Sequence, residues 1–163
     1  MLDPVAQGWT TPGHLVDGVD LQALAAREGT PLHAYSAPRI RDSLLELQSA
    51  LHGMDALVCY AVKANSNIAI LRLMHEAGAG ADIVSAGELQ RCLRAGIPAH
   101  RIVFSGVGKT DGEIAEALDA GIARFNVESR DELETLQRLA CARRVIAHAA
   151  VRINPDVDAQ THA

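Results

Sequence analysis

The sequence predicts an α/β fold built from parallel strands and helical crossovers. Three observations point there. Five short apolar runs alternate with four segments of helical period. Their centres fall about 20–26 residues apart, the repeat of a βα unit. Several helix starts read Ser/Thr-x-x-Glu, and several helix ends are followed by Gly, so each unit carries its own start and stop signals. Such alternation implies right-handed crossovers between parallel strands. Two architectures satisfy it: an open doubly wound sheet, or part of a (β/α)8 barrel.

The elements follow in order. Residues 1–29 read as a leader, broken by Pro4, Gly8, Pro12, Gly13 and Gly18, with a short helix near 20–28. Pro31–Tyr35 is extended and reads as a short strand. Ser36 then caps a helix that runs to Gly53. The five core runs are Ala56–Lys63, Ala81–Val84, Arg101–Ser105, Ala123–Val127 and His148–Ile153, the last stopped by Asn154-Pro155. These strands read as apolar on both faces, as in a sheet covered by helices. Capping boxes are expected at Ser85–Glu88, Thr110–Glu113 and Ser129–Glu132, and left-handed stops at Gly78, Gly96 and Gly121. Asn154–Ala163 reads as a loop, and five strands without a further element suggest the front part of a longer protein.

Composition narrows the function. A chain of 163 residues is enough for about one domain with a sizeable core. With 15 basic and 20 acidic residues the net charge is −5, which argues against a nucleic-acid groove or a cationic membrane patch. No apolar run approaches a membrane span, and no secretory signal opens the chain. The three cysteines, Cys59, Cys92 and Cys141, form no CxxC pair, so a disulfide frame or zinc knuckle is not expected and the cytoplasm is the expected compartment. No HExxH occurs among the scattered histidines, and no metal site is expected.

Gly106-Val-Gly108-Lys109-Thr110 looks like the tail of a phosphate-binding P-loop, but Val103 stands where that motif needs its first glycine. A tight βα turn is the competing reading. No dinucleotide fingerprint is present, because Gly78-Ala-Gly80 precedes a strand instead of following one.

Lys63 closes an apolar run at the strand end where α/β folds place their chemistry. Loss of hydration there would favour the free amine, the form that condenses with an aldehyde cofactor. The bland reading is a lysine that ends a strand and reaches water. Asp82 lies inside the next apolar run, where a charge needs a partner. Arg152 is embedded in the fifth run and could pair with Asp82 across a site; a structural ion pair is the alternative. Glu88 could face the same site, although it also fits a capping position.

These residues lie in five segments: Tyr60-Ala-Val-Lys63-Ala-Asn65, Gly80-Ala-Asp82-Ile-Val-Ser-Ala-Gly-Glu88-Leu89, Ile102-Val-Phe-Ser-Gly-Val-Gly-Lys109-Thr110, Phe125-Asn-Val-Glu128-Ser129 and Val151-Arg152-Ile-Asn-Pro155. Together, and in that order, they closely resemble the diaminopimelate decarboxylases, pyridoxal-phosphate enzymes of the alanine-racemase-like barrel class. The resemblance runs from about Thr30 to Ala163. It implies a partial (β/α)8 TIM barrel of the alanine racemase-like type, with about five of eight strands, over residues 30–163. It implies pyridoxal 5'-phosphate as cofactor, bound covalently by Lys63, with Asp82, Glu88 and Arg152 lining the cofactor side. It further implies a small amino-acid substrate, meso-diaminopimelate decarboxylated to L-lysine, and a homodimer for the full-length protein. The residues that select the substrate and complete the site in this family lie beyond Ala163, so the 163 residues alone are expected to be inactive and poorly stable. The alternatives are a related decarboxylase acting on ornithine, arginine or carboxynorspermidine, a non-catalytic pyridoxal-phosphate-binding protein, or a nucleotide module built on Lys109.

Overall fold

A computed structural model describes residues 15–155, so most of the expected leader, the histidines at 14 and 162, and the loop beyond residue 155 lie outside the described residues. The chain forms two compact units, one up to His52 and one from Gly53 onward.

The first unit opens with a two-residue hairpin, β1 (Leu15–Val16) and β2 (Val19–Asp20). Asp17 and Gly18 make its turn, both at positive φ, as hairpins joined by two residues require. Asp20 then caps α1 (Leu21–Glu28) by accepting the Gln22 and Ala23 amides. Ser36 caps α2 (Ala37–Ala50), as expected, with a proline in its first turn. Pro31–Tyr35 is a correction: it joins no ladder. A strand exists only by pairing, and no described residue offers this segment a partner.

The second unit holds five parallel strands: β3 (Cys59–Ala61), β4 (Gly80–Ile83), β5 (Ile102–Phe104), β6 (Arg124–Val127) and β7 (Ala149–Val151). They lie side by side in chain order. That order decides between the two architectures. A doubly wound sheet reverses its strand order at a switch point, whereas a barrel adds each strand beside the last. The crossover helices are α3 (Ile68–Glu76), α4 (Ala86–Ala95), α5 (Asp111–Ala120) and α6 (Arg130–Arg143). Each packs on the next in sequence.

Strand alternation divides the sheet into two faces. Ala81, Ile83, Ile102, Phe104, Phe125 and Val127 are buried in one core with Leu71, Leu89, Ile114 and Leu136 from the helices. Ile83, Phe104 and Phe125 stand in one register row, with the two phenyl rings 6.2 Å apart. Each such side chain contributes roughly 1.5–3 kcal/mol by leaving water. The other face is not apolar, contrary to expectation: it carries Asp82, Ser105, Asn126, Glu128 and Arg152. The described helices of this unit pack on the apolar face, and in a barrel the polar face points inward.

The strands are also shorter than the apolar runs. Val62 is fully buried yet belongs to a 3-10 turn, Val62–Ala64, and not to the strand. Gly96 and Gly121 end α4 and α5 in the left-handed conformation, as expected.

Of the three expected capping boxes only Thr110–Glu113 closes on both sides. Glu88 reaches one residue further back, to the Val84 amide at 2.8 Å. Glu132 faces the Glu128 amide and a lysine. The Glu113 carboxylate also accepts the Ala86 amide. The backbone amides of Thr110 and Ala86 hold its pKa below the usual carboxylate value. A depressed folded pKa stabilises above the unfolded value and is lost as pH falls through the folded one. Glu113→Ala is therefore expected to cost about 1 kcal/mol at neutral pH, with the two proteins converging in acid. Urea unfolding at both pH values checks this.

Candidate functional site

The inward face ends in a cavity of about 390 Å³ at the C-terminal ends of the strands. Each functional side chain arrives there for a local reason. Lys63 sits in the 3-10 turn that follows β3. The Tyr60 hydroxyl donates to the Asn65 carbonyl at 3.3 Å and ties that turn to the strand. Asn65 and Asn67 are spent locally, on the Asn67 amide and on the α3 N-cap. Asp82 lies in β4, Arg152 follows β7, and both line the cavity with Lys63.

Asp82 and Arg152 do not pair with each other, which corrects the sequence expectation. They belong to β4 and to the end of β7, three strand spacings apart, or about 14 Å along a sheet. Each is held by a nearer strand instead. The Ser105 hydroxyl donates to Asp82 in a short hydrogen bond, and the Asn126 side-chain amide donates to Ser105 Oγ at 2.9 Å. Arg152 Nη1 lies 3.2 and 3.4 Å from the two carboxylate oxygens of Glu128. Glu128 is nearly buried at 10% exposure, while Arg152 is 58% exposed.

Two further sequence expectations meet the structure here. Lys63 is exposed, not desolvated, because β3 has a strand neighbour on one side only among the described residues. Glu88 does not line the cavity; its carboxylate holds the amide of Val84, which does.

Lys109 settles the P-loop question. Its ammonium donates to the Gly106 carbonyl, the Asn126 carbonyl and Glu132 Oε1 at 2.8, 2.8 and 2.7 Å. All three protons are committed and the side chain is 1% exposed, so none is free for a phosphate. The segment is a tight turn, with Gly106 and Gly108 at positive φ. The sequence holds only two lysines. One is spent inside the protein; the other lines the cavity.

Burial raises the Cys92 thiol to about 12, so it packs as a small hydrophobe. Burial and then the Asp82 charge raise Cys59 as well. Neither thiol is poised as a nucleophile. No described helix is long and apolar enough to cross a membrane.

Sequence reading missed Ser105, Asn126 and Glu128. The signal was partly available in the period of two, which sets Asn126 and Glu128 on the face opposite to Val127; their sharing a face with Asp82 and Ser105 follows from the strand register.

Sequential parallel strands with polar side chains gathered at their C-terminal ends define a (β/α)-barrel domain of the enzymatic kind. Residues 38–163 match the family described as pyridoxal-dependent decarboxylase, pyridoxal binding domain. The chain belongs to that family. It is 51% identical over 146 residues to a diaminopimelate decarboxylase of Pseudomonas aeruginosa, covering 90% of this chain and 35% of that relative. It is 50% identical over 147 residues to one from Aquifex aeolicus, covering 90% and 34%. The crystal structure of the Helicobacter pylori diaminopimelate decarboxylase complexed with L-lysine superposes with a TM-score of 0.83 at 45% identity, covering 87% of this chain and 36% of that one. Part of an alanine-racemase-like barrel is thus the fold of this chain, which spans about a third of the length of the curated relatives it matches.

Proposed function

We propose that the chain is the cofactor-holding part of a meso-diaminopimelate decarboxylase, which releases carbon dioxide and forms L-lysine, the last step of lysine biosynthesis. One observation carries this reading: of the two lysines, only Lys63 has an amine to offer, and it lines one cavity with Asp82 and Arg152. A primary amine, a guanidinium and two carboxylates around 390 Å³ suit an anionic pyridine aldehyde. Membership of a pyridoxal-binding family supports the same group.

Lys63 would hold pyridoxal phosphate through its Nζ, and Asp82 and Arg152 would line the cofactor side. Glu88 serves the same side by fixing Val84. When bound, the cofactor supplies an electron sink for the pair left at the α-carbon as carbon dioxide departs. The chain's own residues then bind and orient. Ser105 and Asn126 hold Asp82 in one rotamer, and Glu128 keeps the Arg152 guanidinium at the rim. Lys63 Nζ, in contact with water, can take up and return a proton there. Residues 1–29 act as a leader to the cofactor-binding part at 30–163. The whole protein works in the cytoplasm as a homodimer, with no nucleic-acid or membrane partner.

Borohydride reduction in the presence of pyridoxal phosphate, followed by peptide mass mapping, is expected to place the added mass on the Lys63 peptide. Label on Lys109, or none, would overturn the assignment. The full-length protein is expected to release carbon dioxide from meso-diaminopimelate in preference to ornithine and arginine; the reverse preference overturns the substrate.

A further inference from the structure

Lys109 and Glu132 form the one ion pair among the described residues with both side chains nearly sealed from water, at 1% and 9% exposure. A buried ion pair is poor evidence of stability, since apolar side chains of similar volume replace one at little cost. The bonds around this one point to a different purpose. Two of the lysine's three acceptors are main-chain carbonyls, of Gly106 and Asn126, and both residues line the cavity. The third, Glu132, turns its other oxygen to the Glu128 amide at 3.5 Å, and Glu128 in turn faces Arg152. The Phe104 ring closes a further side, 5.5 Å from the ammonium.

We propose that Lys109 is a positioning residue of the cofactor site. Its ammonium ties the β5–α5 loop, the end of β6 and the first turn of α6 into one rim that sets Asn126, Glu128 and, through Glu128, Arg152. This rests on the reading above that the cavity takes pyridoxal phosphate. Lys109 touches no cavity space itself; it acts through main-chain atoms. Hydrogen bonds from a charged donor are the strong kind, and three of them from one nitrogen to three separate segments fix those segments relative to one another. A methionine would fill the volume and tie none of them. The asparagine side chain at the same position donates to Ser105, which donates to Asp82. The one ammonium therefore stands behind both Asp82 and Arg152, and small displacements of such supports are costly.

The test uses the full-length protein and titration with pyridoxal phosphate. Lys109→Met leaves Glu132 buried without its partner and is expected to melt early. Lys109→Met/Glu132→Leu removes both charges and is expected to regain the wild-type melting temperature. On this proposal the double variant still binds the cofactor at least about tenfold more weakly than wild type, because the two carbonyl ties are gone. A double variant that melts and binds like wild type overturns the proposal and leaves the cofactor reading standing. A wild-type chain that binds no pyridoxal phosphate overturns both. A second readout needs no variant. Cofactor binding to wild type is expected to slow amide exchange in 106–109 and 126–128 together, and slowing in one segment alone contradicts a shared rim.

Discussion

Lys63→Ala is expected to abolish the absorbance band of lysine-bound pyridoxal phosphate and to lower decarboxylation by the full-length protein by roughly 10³-fold or more. Lys109 cannot substitute, because it is enclosed with its three protons committed. The variant is also expected to fold normally. Lys63 is exposed and sits in a turn that Tyr60 holds through the Asn65 carbonyl, not through the lysine. Its unfolding free energy should stay within about 0.5 kcal/mol of wild type. The pairing of intact stability with lost absorbance separates a chemical role from a structural one. A variant that kept the band would show that the cofactor is held by some other group.

The largest effect on stability is expected at Gly80. This residue opens β4, pairs with Cys59 and is buried. A Cβ there would run into the Arg101 carbonyl, closer than real Cβ contacts come, and would also stand 3.1 Å from Cys59 Sγ and from Leu57 Cδ2. The carbonyl belongs to the backbone leading into β5 and cannot rotate aside. Gly80→Ala should therefore cost about 2–4 kcal/mol. Gly112 provides the contrast. It lies in the first turn of α5 with nothing within 4 Å of an added Cβ. Gly112→Ala should be neutral or stabilising by up to about 1 kcal/mol. Chemical denaturation of both variants tests the pair.

What could be read from the residues was what is local. Ser36, Ser85, Thr110 and Ser129 all cap the helices assigned to them, since a cap is settled within four residues. Strand lengths were less legible. Val62 is as apolar and buried as a strand residue but sits in a turn, and hydropathy does not distinguish the two. Strand order was out of reach, because it is a long-range property that the periodicity of each unit leaves open. The expected pairing of Asp82 with Arg152 failed for that reason. As charges stranded in apolar runs both were visible, but their partners depend on which strands are neighbours. Ser105 and Glu128 are those partners, 23 and 24 residues away in the chain. Lys109 was hidden behind a familiar-looking glycine motif, and only Glu132, 23 residues later, discloses what it does.

Each βα unit borrows its finishing bond from the one after it. Ala86, at the start of α4, gives its amide to Glu113 of α5; Lys109, before α5, gives its ammonium to Glu132 of α6. Arg138 and Arg143 of α6 reach back to Asp111 and Asp119 in the same way. On a ribosome, which releases the N-terminal end first, the β4–α4 and β5–α5 loops at the cavity rim would stay loose until the next helix had emerged and latched each of them. Growth is then directional, and the functional mouth matures one stave behind the newest strand.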